Sequence, residues 1–391
     1  MPVSRRKFLG QAGAIGCTTA ASPFITPVVF ASAPTDTRLV VIILRGAMDG
    51  LDVVQPYGDP NLSAWRNSLS VGPEAGAHDL DGFYALHPKL AGLMPLWAAG
   101  ELGFVHAVST PYRNKRSHFD GQDFLENGGA SSDGALTERE DGWLNRLLPL
   151  MGGVSEQTAF SVGRERLRLV SGDAPHSSWS PDAGMELSAQ GQLLLEEIYR
   201  NDPLFHDASQ RAMELSGRGG AMSPAKAGRA KALAEFAAER LNAETRIAAF
   251  SLGGFDTHRN QKTTLPRALA ELEAAILGLQ SGLGGNWQKT VVLAMTEFGR
   301  TVAENGSSGS DHGTGSVMMT AGGAVRGGRI SGRWPGLSEA DLFERRDLMP
   351  TDDVRRHAAH VMRGLFGVSG TDIARSVFPG LDMGDDPGLL L

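Results

Sequence analysis

Five short segments of this chain carry acids and imidazoles at spacings that suit metal binding. In "GGFDTH" Asp256 and His258 stand two apart; in "SDHGTG" Asp311 and His312 are adjacent; "TEFGRT" contributes Glu297. "RSHFDG" sets Ser117 beside His118, and "RGAMDGLD" adds Asp49 with Asp52 nearby. Carboxylates mixed with imidazoles suit zinc, manganese or iron better than calcium, which prefers oxygen ligands alone. Cations held this way can clamp an oxyanion and lower the pKa of a bound hydroxyl or water. Any one of the segments alone reads more simply as an Asx-turn or a solvent-facing pair. Their recurrence is what points to a divalent-metal site with Asp49, His118, Asp256, His258, Glu297, Asp311 and His312 as candidate ligands.

Ser117 has two readings. A hydroxyl at a helix start can act as a nucleophile whose alkoxide is stabilised by the helix N-terminus and a metal. Serine is also a favoured N-cap, and the following "HFDGQDFLE" is helical in pattern. The adjacent Arg113, Lys115 and Arg116 suit an oxyanion, or else form a solvated basic loop. His357 and His360, three apart in a helical pattern, read as one packed and one solvent-facing residue. His87 and His106 read as structural.

The candidate residues need elements to position them. "LVVIILRG", "LGFVHAVS", "RIAAFSLGG" and "KTVVLAMTEFG" are short apolar runs rich in β-branched residues, the pattern of strands covered on both faces. Helical patterns separate them, at "HPKLAGLMPLWAAG", 186–216, 224–243 and "TTLPRALAELEAAILGLQSGL". "SVMMTAGGAVRGG" can add a late strand, and "DDVRRHAAHVMRGLFG" a C-terminal helix. Strands alternating with helices predict an α/β fold with a mainly parallel central sheet flanked by helices. In such sheets ligands bind beyond the carboxyl ends of the strands, which is where the candidate residues fall. Residues 125–185 are less regular and read as an insertion or cap.

With 391 residues, the chain can bury a sizeable core. A net charge of −7 argues against a nucleic-acid partner. At the N-terminus "SRRKFLG" places twin arginines before a moderately apolar stretch that ends in small residues, the grammar of an export signal. Pro23 and Pro27 interrupt that stretch, so no permanent membrane anchor is expected. The reading is a twin-arginine signal peptide over 1–33 and a single domain over 34–391, located in the periplasm or secreted, with the twin-arginine export machinery as a partner. The one cysteine, Cys17, lies in the signal, so the remainder has no disulfide and no thiol nucleophile.

The order of "ILRGAMDGLD", "RSHFDGQDFLENG", "SLGGFDTH", "TEFGRT" and "SDHGTGSVMMTAGGAVRGGRISGRWPGL" resembles an uncharacterised family of twin-arginine-exported bacterial proteins, domain of unknown function fifteen hundred and one. That family is similar in architecture to the alkaline phosphatase and sulfatase superfamily, whose members hydrolyse phosphate or sulfate esters at one- or two-metal sites. The resemblance implies an alkaline-phosphatase-like fold, with Asp49 on one metal and Asp256 and His258 on another. It also implies Ser117 as nucleophile. Glu297-Phe298-Gly299 stands where the superfamily has Asp-His-Gly, with His312 as a later lone ligand; alternatively Asp311-His312 fills that role. In the first register Phe298 removes an imidazole, unless Asp311 or His118 substitutes. The expected function is hydrolysis of a small anionic phosphate or sulfate ester. The alternative is a non-catalytic exported metal-binding or assembly protein on the same fold.

Overall fold

The computed structural model describes residues 35–69, 71–113, 115–129, 140–163, 167–179 and 228–391, all within one compact unit, Ser32–Leu391. The export-signal segment and the helical pattern at 186–216 lie outside these residues. Among the described residues, no helix is long and apolar enough to cross a membrane.

Among the described residues, nine strands form one sheet: β1 (Arg38–Leu44), β2 (Leu102–Ser109), β3 (Ala159–Val162), β4 (Ser177–Trp179), β5 (Ile247–Leu252), β6 (Thr290–Met295), β7 (Ser316–Ala321), β8 (Ile330–Ser331) and β9 (Asp352–Asp353). The spatial order is β8-β2-β7-β6-β1-β5-β3-β4, with β9 also paired to β2. All pairings are parallel except those of β7, which runs antiparallel to β6 and β2. The fold is therefore α/β with a mainly parallel central sheet, as the strand and helix patterns predict.

Both faces of β1 are buried, which explains its unbroken apolar run. Val40, Ile42 and Leu44 face one layer, with the helices α3 (Arg229–Leu241) and α4 (Gln261–Leu283). Leu39, Val41 and Ile43 face the other, with α2 (Trp143–Met151) and α5 (Val354–Phe366). Each such side chain contributes about 1.5–3 kcal/mol by leaving water. The remaining long helix, α1 (His118–Asn127), follows β2 and carries part of the site.

Two expectations change. Residues 125–185 do not simply form an insertion, because β3 and β4 extend the sheet beyond β5. Those strands span four and three residues, too short for a periodicity signal. His357 and His360 are both buried, so neither faces solvent.

Candidate metal centre

The loops after β1, β2, β5 and β6 all leave the same edge of the sheet, because those strands are parallel. The antiparallel β7 enters the sheet at that edge, so the loop preceding it, with Asp311 and His312, returns to the same place. Glycine permits the close approach. Gly46, just beyond β1, has φ 114°, and a Cβ there would collide with the Asp256 backbone. Its N–H donates to Glu297 Oε1 at 2.9 Å, which ties the β1 and β6 exits together.

Four candidate groups converge on one point. His118 Nε2, His258 Nε2 and His312 Nε2 lie 3.5, 3.1 and 3.4 Å from Asp256 Oδ1. Ligand atoms of His118, Asp256 and His312 fall within 4.8 Å of one another, and His258 Nε2 is 2.9 Å from His312 Nε2. These side chains are reached by solvent: Asp256 is 47% exposed, His258 38%, His118 25% and His312 22%.

Each imidazole is held by its other nitrogen. His118 Nδ1 is 2.9 Å from Glu297 Oε1, and His258 Nδ1 is 2.9 Å from Asp311 Oδ1. His312 Nδ1 is 2.7 Å from the Arg116 carbonyl. Carboxylate and carbonyl oxygens only accept, so the proton lies on Nδ1 in all three rings. In the neutral rings the Nε2 lone pairs then face the centre. Such carboxylate–histidine and carbonyl–histidine pairs set ligand orientation at metal sites. Among the described residues His118 Nε2 is buried with no hydrogen-bond partner, and His258 Nε2 and His312 Nε2 face each other at 2.9 Å. A divalent cation would satisfy the mutually close N₂O set of His118, Asp256 and His312, with His258 beside Asp256 and His312, and such mixed donors fit zinc, manganese or iron.

The electrostatics agree. Glu297 raises the His118 pKa by its hydrogen bond, more than burial lowers it. Burial lowers that of His312. Burial would raise the Asp256 carboxyl, but Arg300, donating Nη1 to Oδ1 at 2.8 Å, outweighs it and holds the group ionised below its ordinary range. For Glu297, burial is likewise outweighed by bonds from His118 and the backbone, and for Asp311 by Asn305 and His258.

Three of the seven candidate ligands thus do not point at the centre. Glu297 and Asp311 stand behind it as supports for His118 and His258. Asp49 is spent elsewhere: Arg66 forks onto it at 2.6 and 3.1 Å, and Gln261 Nε2 donates to it at 2.7 Å. At 1% exposure an unpaired carboxylate would be too costly. The Arg66 pairing, opposing the effect of burial, lowers its pKa. The guanidinium is therefore its counter-charge. Gln261 Nε2 also donates to Asp52 at 2.8 Å, whose pKa is raised by burial and by Asp49. Among the described residues, the expected cation beside Asp49 and Glu297 has no converging donor set.

The Phe298 ring stacks on that of His118 at 5.4 Å and 18°. Ser117 caps α1, its Oγ accepting from Asp120 N at 3.5 Å, and so turns to its own helix. Arg116 is not a free anion donor, being paired with Asp347 and Glu344. Arg66, Gln261 and Arg300 were not among the sequence candidates. Arg300 lies within "TEFGRT", close enough to Glu297 to be suspected; Arg66 and Gln261 carry no local signal.

The family model described as "Protein of unknown function (DUF1501)" matches residues 173–376. No curated protein matches the chain in sequence. Among solved structures, the PsFucS1 sulfatase from Pseudoalteromonas sp. is 11% identical, with 92% of this chain and 74% of that chain covered and a TM-score of 0.43. The C-terminal periplasmic domain of EcEptC from Escherichia coli is 11% identical over 90% and 88%, with a TM-score of 0.41. A protein in the alkaline phosphatase superfamily from Vibrio parahaemolyticus is 12% identical over 85% and 72%, at 0.38. Likeness this distant says nothing of shared site residues or activity.

Proposed function

We propose, for a chain that belongs to the family described as Protein of unknown function (DUF1501), that His118, Asp256, His258 and His312 hold one divalent cation at which a phosphate or sulfate ester is hydrolysed. The observation that carries this reading is the convergence of three Nε2 atoms and Asp256 Oδ1 on a solvent-reached point, every imidazole being anchored through Nδ1. Structural zinc sites are closed, whereas an accessible centre leaves room for substrate. A bound cation would supply Lewis-acid stabilisation of charge developing on an ester oxygen.

The chain's own part is orientation and charge. Glu297, Asp311 and the Arg116 carbonyl keep three lone pairs aimed. Arg300 keeps Asp256 ionised. Arg346, donating to the His312 carbonyl at 2.9 Å, adds positive charge beside the centre and favours an anionic substrate. Ser117, engaged with its helix, is not required as a nucleophile. That engagement favours the second reading, a metal-binding protein without turnover. We further read 1–33 as a twin-arginine signal, supported by "SRRKFLG", and the protein as periplasmic or secreted.

The test is metal analysis of protein purified from the periplasm, then a panel of phosphate and sulfate esters with wild type and Asp256→Asn. Metal-dependent release of phosphate or sulfate, lost in the variant, is expected. Stoichiometric metal without turnover would establish the second reading, and absence of bound metal would defeat both.

A further inference from the structure

His312 is also held from a second loop, through its Nδ1. The carbonyl that receives its Nδ1–H belongs to Arg116, whose backbone is left-handed at φ 50°. A non-glycine residue stays there only when its surroundings over-determine it. Here the side chain is tied down: Arg116 Nε and Nη2 donate to Asp347 Oδ2 at 3.2 and 3.0 Å. Thr314, two residues beyond His312, donates its hydroxyl to the same oxygen at 2.8 Å. Asp347 is fully buried, and its Oδ1 has no hydrogen-bond partner among the described residues. The nearest guanidinium there is that of Arg346, at 3.6 Å. A buried carboxylate with one unsatisfied oxygen is costly to fold. Among the described residues, the hydrogen bonds to its Oδ2 come from groups on the two sides of one imidazole.

We propose that Asp347 is a positioning residue for His312. By fixing Arg116 on one side and Thr314 on the other, it keeps the Arg116 carbonyl on Nδ1–H and the Nε2 lone pair turned toward Asp256 and His258. The geometric claim stands on hydrogen bonds alone; its consequence for metal rests on the reading of the site above.

The test uses the full chain. Zinc affinity is measured by competition with a chromophoric chelator, and nitrogen-15 spectra of the metal-free protein report the His312 tautomer. Asp347→Asn is expected to lower zinc affinity about tenfold or more and to populate an Nε2–H form that wild type lacks. Arg116→Gln should do the same. The double variant should fall no further than the worse single one, because both break one strut. Glu344→Gln removes only the exposed partner of Arg116, at 2.7 Å, and should leave affinity within about twofold. Arg116→Gly guards against misfolding, since glycine takes φ 50° without strain and keeps the carbonyl while losing the tether; it should fold and still bind zinc more weakly. Additive losses in the double variant, or an unchanged tautomer in Asp347→Asn and Arg116→Gly, would overturn the proposal. Wild type that binds no zinc would sink the metal reading alone, and the tautomer comparison would still decide the role of Asp347.

Discussion

Replacing Glu297 with glutamine should weaken metal binding while leaving the fold intact, and the hydrogen bonds around the residue say why. Glu297 Oε1 accepts from Gly46 N at 2.9 Å, His118 Nδ1 at 2.9 Å and Gln122 Nε2 at 3.2 Å. Oε2 faces the Thr296 hydroxyl at 3.0 Å. A glutamine with its carbonyl in the Oε1 position keeps all three donors satisfied. Its NH₂ then meets Thr296 Oγ1, whose single proton can turn to the Leu44 carbonyl at 2.8 Å. The second amide hydrogen finds no acceptor among the described residues, so stability should fall by about 1–2 kcal/mol. What disappears is the charge on the acceptor. Charge-assisted hydrogen bonds are roughly twice as strong as neutral ones, and supports of this kind affect metal affinity by about 10–100-fold. The expectation is about tenfold weaker zinc binding, near 1.4 kcal/mol, read by chelator competition at pH 7.5. Glu297→Ala, by contrast, strands three donors and should cost about 3 kcal/mol or more in denaturant unfolding. Glutamine binding zinc within twofold of wild type would refute the reasoning. So would a glutamine variant as unstable as the alanine one.

Other expectations follow from the same geometry. Asp256→Asn should abolish stoichiometric metal by elemental analysis and lower the metal-free unfolding midpoint, because the buried Arg300 guanidinium loses its counter-charge. Ser117→Ala should cost no more than about 1 kcal/mol as a lost cap, with ester turnover unchanged; a hundredfold loss of kcat would restore the serine as nucleophile. Arg66→Met should destabilise by about 3–5 kcal/mol in urea, since it leaves Asp49 buried and unpaired. Adding Asp49→Asn should recover much of that, and an additive loss in the double variant would argue against the pairing. Burial holds the His106 pKa down at about 4. The unfolded chain then takes up the proton first, so stability is complete above about pH 6.5 and falls as pH drops towards 4. The loss is about 2 kcal/mol at pH 5. His106→Gln, lacking the titration, should show a flatter stability profile over pH 7 to 5.

Much of this arrangement was legible in the chain. The apolar runs that became β1, β2, β5, β6 and β7 announce themselves, because strands buried on both faces must be apolar throughout. The acids and imidazoles at their ends follow as local spacing. His118, Asp256, His258 and His312 were thus recoverable as a set of residue types, as was the unusual Phe298. Local pattern says nothing about direction, however. Asp49, Glu297 and Asp311 have the same chemistry as Asp256. Only packing decides that one faces Arg66, two stand behind imidazoles and the fourth meets three Nε2 atoms. Each choice is set by which partners lie within about 3 Å, and most of them stand far along the chain: Gly46 for Glu297, Gln261 for Asp49 and the Arg116 carbonyl for His312, with Arg66 nearer to Asp49 in sequence. The antiparallel turn of β7 brings the Asp311-His312 loop back to the centre, and strand direction is a property of pairing that a short apolar run does not carry. Residue chemistry was written in the sequence; which atom each residue offers, and to whom, was decided by the cost of burying charge without a partner.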